Sequence, residues 1–148
     1  MTIDLDVQLA SACESIPAEQ NFTLWVEAAL AGQGSHQLTV RLVDAEESAG
    51  LNMQFRGRKG PTNVLSFPAD LPAEVNIPLL GDIVICAPLV EREAEEQAKT
   101  LEAHWAHLVI HGVLHLLGMD HQQDNDARQM ESRERELLAG LGYPDPYQ

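Results

Sequence analysis

Residues 111–121 read HGVLHLLGMDH, three histidines inside a leucine-rich run. On a helix His111 and His115 stand one turn apart, about 6 Å along the axis and on one face. Two imidazoles so placed can converge on one ion at the ~2.0–2.1 Å of a metal–nitrogen bond. His121 is too far along the chain to share that stretch of helical face. Gly118, however, suits the left-handed residue that ends a helix, and a chain reversed there can bring His121 to the other two. Three histidines around a divalent ion leave a coordination position for water or a phosphate oxygen. Neutral imidazole suits zinc first, with nickel and copper chemically possible.

The spacing also matches the metal-binding frame H-E-x-x-H-x-x-G-x-x-H of the metzincin proteases. One residue departs from it. The glutamate that acts there as general base falls at position 112, which is Gly112 in this chain. The frame therefore predicts a metal while arguing against a peptidase that uses that base. His104 and His107 precede the motif on nearly the same helical face and read as packing histidines or hydrogen-bonding partners rather than ligands. His36 reads as a loop residue.

The second chemically suggestive stretch is RGRKGPTNVLSFP at 56–68, where Arg56, Arg58 and Lys59 concentrate a third of the nine basic residues. With a formal net charge of −14 the chain is unsuited to indiscriminate nucleic-acid binding, because phosphate affinity comes largely from Lys and Arg releasing counterions. A local cluster can still track a phosphate backbone. Standing alone, Arg56, Arg58 and Lys59 read as a solvated turn; beside a metal they could instead hold backbone phosphates, Arg56 through its planar guanidinium.

These residues need elements to position them. Ile3, Leu5, Val7 and Leu9 alternate with polar residues as a half-buried strand does. After Pro17, Phe22, Trp25, Val26, Ala29 and Leu30 recur with helical period up to Gly32 and Gly34, which places Trp25 in the core. Leu38, Val40 and Leu42 form a second strand ending at Asp44. Asp44 and Glu47 resemble a capping box for a helix running to about Arg56. Gly57, Gly60 and Pro61 break it, Val64 to Phe67 is a short strand closed by Pro68, and 69–79 is a loop. Leu80 to Cys86 is a further strand. Pro88 opens a helix with Arg92–Glu96 and Glu95–Lys99 pairs. Leu101 to Leu117 is the most apolar helix, and Asp124 to Ala139, with Asp124 as its cap, is the last.

The expected fold is thus α+β: residues 1–148 as one domain, a small mixed sheet of about four strands packed with about five helices, and the metal site on a central helix. Cys13 and Cys86 lie far apart without zinc-ligand spacing, which favours a reducing compartment. The acidic, alternating N-terminus is unlike a signal peptide. No apolar run approaches the ~18 residues of a membrane helix. Both features point to a cytoplasmic protein with no membrane partner.

Beyond the residues themselves, HGVLHLLGMDH and RGRKGPTNVLSFP together resemble the two signatures of the YbeY family of bacterial ribosomal-RNA maturation factors. The likeness extends through GDIVIC, LEAHWAHLVIHG and the GYPDPY tail. It implies a zinc-dependent, single-strand-specific endoribonuclease acting in small-subunit rRNA maturation and ribosome quality control. The implied partners are rRNA, the small ribosomal subunit and ribosome-associated proteins. His111, His115 and His121 match the family's metal ligands, and Arg56 its arginine in the catalytic cleft. Position 63 is Asn63 where many members carry Asp, so no base is assigned there; Asp120 reads as a cap or an orienting residue. A noncatalytic ribosome-assembly factor with a structural metal and a metal-dependent hydrolase of other specificity are the alternatives.

Overall fold

The computed structural model describes residues 2–72, 74–119 and 124–148. His121 and Asp120 lie outside the described residues, as does the side chain of Asp124. Among the described residues four strands and five helices follow one another as β1 (Ile3–Ala10), α1 (Glu19–Leu30), β2 (His36–Val43), α2 (Ala45–Arg56), β3 (Val64–Pro68), β4 (Leu79–Cys86), α3 (Ala87–Glu96), α4 (Leu101–Leu116) and α5 (Asp124–Gly140). The sheet is mixed, as expected, in the order β1-β2-β4-β3. β1, β2 and β4 run parallel, and β3 pairs antiparallel with β4 as an edge strand.

Alternation along the strands divides the sheet into two faces. Leu38, Val40, Leu42, Ile83 and Ile85 join Phe22, Trp25, Val26, Leu30, Trp105, Val109, Ile110 and Val113 in the main core, so α1 and α4 cover one face. Edge-on contacts of 5.6 and 5.7 Å set Phe22 against Trp25 and Trp105. Trp25 is a core residue whose indole N–H donates to the Tyr143 hydroxyl at 3.2 Å. The opposite face carries a smaller cluster of Val43, Leu65 and Val84, with Leu51 of α2 and Phe67 against it.

Apolar content alone explains why α4 is the central helix. Eleven of its residues are buried, including Gly112. A Cβ on Gly112 would stand 3.0–3.3 Å from three side-chain atoms of Ile83. Gly112 therefore lets α4 sit down on β4, and any side chain there would require Ile83 to give way. Thr100 caps the helix by accepting from the Ala103 amide at 3.2 Å, which satisfies one of the unpaired N–H groups of its first turn.

Three local expectations fail for identifiable reasons. Asp44 precedes α2 but makes no side-chain cap; its carboxylate accepts from the Ser11 hydroxyl and the Ala12 amide. Glu47 is claimed by Arg41, which binds it through Nε at 2.6 Å and Nη2 at 3.1 Å, so no capping box forms. His36 is the first residue of β2, where its amide donates to Thr2. α3 stops at Glu96, and Lys99 donates to the Pro146 carbonyl at 2.7 Å instead of pairing with Glu95. Among the described residues no helix is long and apolar enough to cross a membrane.

Candidate active site

α4 places His111 and His115 as helical spacing requires: their Nε2 atoms lie 3.1 Å apart. Two nitrogens that share a tetrahedral ion at ~2.0–2.1 Å would be about 3.4 Å apart, so this separation is within a small rotation of what a common ion demands. Gly118, two residues beyond the last residue of α4, has φ +96°, the left-handed conformation expected of a residue that ends a helix.

Behind this pair stands a residue that sequence reasoning missed. Glu134 of α5 is fully buried, and its Oε1 lies 2.5 Å from His111 Nδ1. Its Oε2 accepts from His107 Nε2 at 3.1 Å and from the Tyr147 hydroxyl. Burial alone would raise the carboxyl's pKa, but the bonds from His107, His111 and Tyr147 outweigh it, and the pKa is pulled down to about 2. Burial first, then the hydrogen bond to Glu134 and that carboxylate's charge, push the Tyr147 phenol well above its ordinary value. An ionised carboxylate can only accept, so the proton shared with His111 sits on Nδ1. His107, His111 and Glu134 also bring ligand-type atoms within 4.8 Å of one another, close enough to hold a metal ion.

The signal for Glu134 was present but masked by its surroundings. ESRERE reads as a solvated, charged face. Yet Met130, Glu134 and Leu138 recur every four residues, and all three are at most 1% exposed. The period that carries the two apolar residues inward carries the glutamate with them.

His104 and His107 are hydrogen-bonding residues, one of the roles foreseen for them. His104 Nε2 meets Glu93 Oε1 at 2.9 Å, and Asn63 donates to both Glu93 oxygens at 3.1 and 3.3 Å. Glu93 therefore ties α3, α4 and the start of β3 together. Burial again opposes its charge, and the bonds from His104 and Asn63 hold its carboxyl below the usual range.

Arg56 ends α2, and Gly57 follows in the left-handed conformation at φ +68°. The exposed guanidinium donates through Nη2 to the Ser66 carbonyl at 2.9 Å and lies 5.4 Å from the Phe67 ring centroid. Ser66 in turn donates from its hydroxyl to the Gly112 carbonyl at 3.1 Å. Ser66 of the edge strand β3 thus bonds both to Arg56 and to the backbone of α4, the helix that carries His111 and His115.

Arg58 and Lys59 are exposed on the turn that follows. Two buried polar residues of α2 hold that turn. Asn52 Nδ2 donates to the Gly60 carbonyl at 2.9 Å. Ser48 accepts from the Thr62 amide at 3.0 Å and donates to the Thr62 carbonyl at 2.9 Å. Arg58 and Lys59 are consequently displayed on a pinned turn directly after the helix that ends in Arg56.

The chain is similar to known proteins in both sequence and fold. The family described as "Endoribonuclease YbeY" matches residues 8–142. The solution structure of the Thermotoga maritima protein TM1509 is similar, with 30% sequence identity and a TM-score of 0.64 over 91% of this chain and 88% of that one.

Proposed function

From the premise that this chain belongs to the YbeY family of endoribonucleases, we propose that it is a zinc-dependent, single-strand-specific endoribonuclease of small-subunit rRNA maturation and ribosome quality control. The observation that carries the metal reading is the 3.1 Å approach of His111 Nε2 to His115 Nε2 on one helical face. His111, His115 and His121 are the proposed ligands, and nickel is chemically possible in their place. When bound, the ion supplies a Lewis acid with an open position.

The chain's own residues do the rest. Arg56 uses two of its N–H groups on the Phe55 and Ser66 carbonyls, at 3.3 and 2.9 Å. A guanidinium carries five donors. The remainder are available to a phosphodiester that crosses the β3 edge, where they stabilise charge as it develops. Arg58 and Lys59, exposed on the pinned turn, hold neighbouring phosphates. Three local cations beside a divalent ion offset the repulsion that a chain of net charge −14 exerts on RNA. The partners are rRNA and the small ribosomal subunit with its associated proteins, and the location is the cytoplasm.

The test is cleavage of a defined single-stranded RNA by the purified protein, with metal stripped and then restored. The expected result is one zinc per chain by elemental analysis, activity lost with the metal and regained with it, and neither metal nor activity in His115→Ala. Unchanged metal content in His115→Ala overturns the ligand assignment. A parent protein without metal-dependent cleavage makes this chain a noncatalytic assembly factor.

A further inference from the structure

We infer that Glu134 and Tyr147 are positioning residues for the metal, and that the C-terminal segment is therefore part of the metal site. The inference rests on the metal reading above and adds to it what fixes the ligand.

A buried carboxylate is costly unless its lone pairs are occupied by donors. Glu134 meets that condition with three: His111 Nδ1 on one oxygen, His107 Nε2 and the Tyr147 hydroxyl on the other. The bond to Nδ1 keeps the His111 proton on that atom and leaves the Nε2 lone pair directed toward His115. Metal-bound histidines characteristically donate their other N–H to a carboxylate or carbonyl, which sets both tautomer and ring orientation.

Tyr147 stands one residue from the C-terminus, and several contacts hold its segment in place. Lys99 donates to the Pro146 carbonyl at 2.7 Å. Arg135 pairs with Asp145 at 3.1 Å and lies 5.2 Å from the Tyr147 ring centroid. The tail thereby delivers a hydroxyl to the carboxylate that orients a ligand on α4. Glu134 could instead be a ligand itself, together with His107 and His111. That arrangement requires an ion to replace the hydrogen bonds that the carboxylate now accepts from His107 and His111.

The experiment is zinc titration of the full-length, metal-stripped protein against a chromophoric chelator, with 15N spectra of the histidine rings recorded before metal is added. In the parent, His111 should carry its proton on Nδ1. Glu134→Gln should lower zinc affinity by about 10- to 100-fold, the usual cost of losing such a partner. Tyr147→Phe keeps the ring and its packing and should lose a smaller factor with an unchanged melting temperature. His107→Ala should bind far better than His115→Ala.

Parental zinc affinity in Glu134→Gln overturns the inference, as does a parent His111 protonated on Nε2. Loss of binding in His107→Ala equal to that in His115→Ala makes Glu134 a ligand and also overturns it. If Glu134→Gln does not fold, Tyr147→Phe decides by the same criterion of lost or parental affinity. A parent that takes up no zinc overturns the metal reading itself, an outcome distinct from all of these.

Discussion

The hydroxyl of Ser66 donates to the carbonyl of Gly112 across 3.1 Å, which joins the edge strand β3 to the helix that carries His111 and His115. Because the backbone carbonyl of the same serine accepts from Arg56, one residue links the arginine and the histidine helix. Their relative placement is therefore a property of β3, and substitutions at Arg56 can be read as chemistry.

Arg56→Ala should retain metal and fold, since the side chain is exposed and its contact with Phe67 is of the kind worth ~0.5–1 kcal/mol at such sites. Cleavage should fall by about 10²–10³, the range for removing one donor that stabilises developing charge. Arg56→Lys should recover little of it, because an ammonium cannot reproduce the planar fork. Single-turnover rates at saturating RNA separate this loss from weakened binding. A parental rate there reduces Arg56 to a docking residue.

RNA affinity should fall as salt is raised, with a log–log slope of about −0.7 per phosphate contacted in a single strand. Replacing Arg58 and Lys59 together by alanine should flatten that slope. Filter binding over a series of salt concentrations measures it, and an unchanged slope places the RNA path elsewhere on the surface.

Gly112→Glu should destabilise the fold by about 1–3 kcal/mol or more, the range for overpacking a filled core. The added Cβ meets Ile83, a fully buried residue, at 3.0 Å. Thermal unfolding gives the loss. A double-mutant cycle with Ile83→Val should show partial recovery for the milder Gly112→Ala, whose sign depends on how far Ile83 can give. Undiminished stability in Gly112→Glu contradicts the packing described for α4.

Glu93 supplies a pH dependence. Hydrogen bonds from His104 and Asn63 outweigh its burial and hold its folded pKa below the unfolded value. The unfolded chain therefore binds a proton first as pH falls. The resulting stability is fully present above the ordinary carboxylate pKa of ~4.3 and is lost as pH drops through the lower folded value. Urea unfolding of metal-free protein between neutral and acid pH should show this decline, reduced in Glu93→Gln. Parallel curves for the two proteins remove Glu93 from the account.

Acidification should act separately on metal binding, because an imidazole ligates only when neutral. Zinc affinity should therefore fall steadily from neutral toward acid pH while the metal-free chain is still folded. Competition titrations in matched buffers measure it. An affinity indifferent to pH in that range is incompatible with histidine ligands.

Periodicity made much of this protein legible. Phe22, Trp25, Val26, Ala29 and Leu30 repeat with helical period and are all buried, and Leu38, Val40 and Leu42 alternate inward as a strand's side chains must. One-turn spacing on an apolar helix was enough to place His111 beside His115, since both residues ride on a single rigid element. Gly57 and Gly118 marked their helix ends because few other residues adopt the backbone angles found there. Asp44 and Glu47 had the spacing of a cap, but the fold offered each a better partner, Ser11 with Ala12 and Arg41, across distances that no local pattern encodes. Glu134 shows the same limit from the other side. Its sequence neighbours are charged and solvated, and only the packing of α5 and the C-terminal tail against α4 turns it into a buried hub for His107, His111 and Tyr147. The local period determined which residues could face a metal, whereas the choice of carboxylate behind them was a long-range pairing that only the tertiary structure decided.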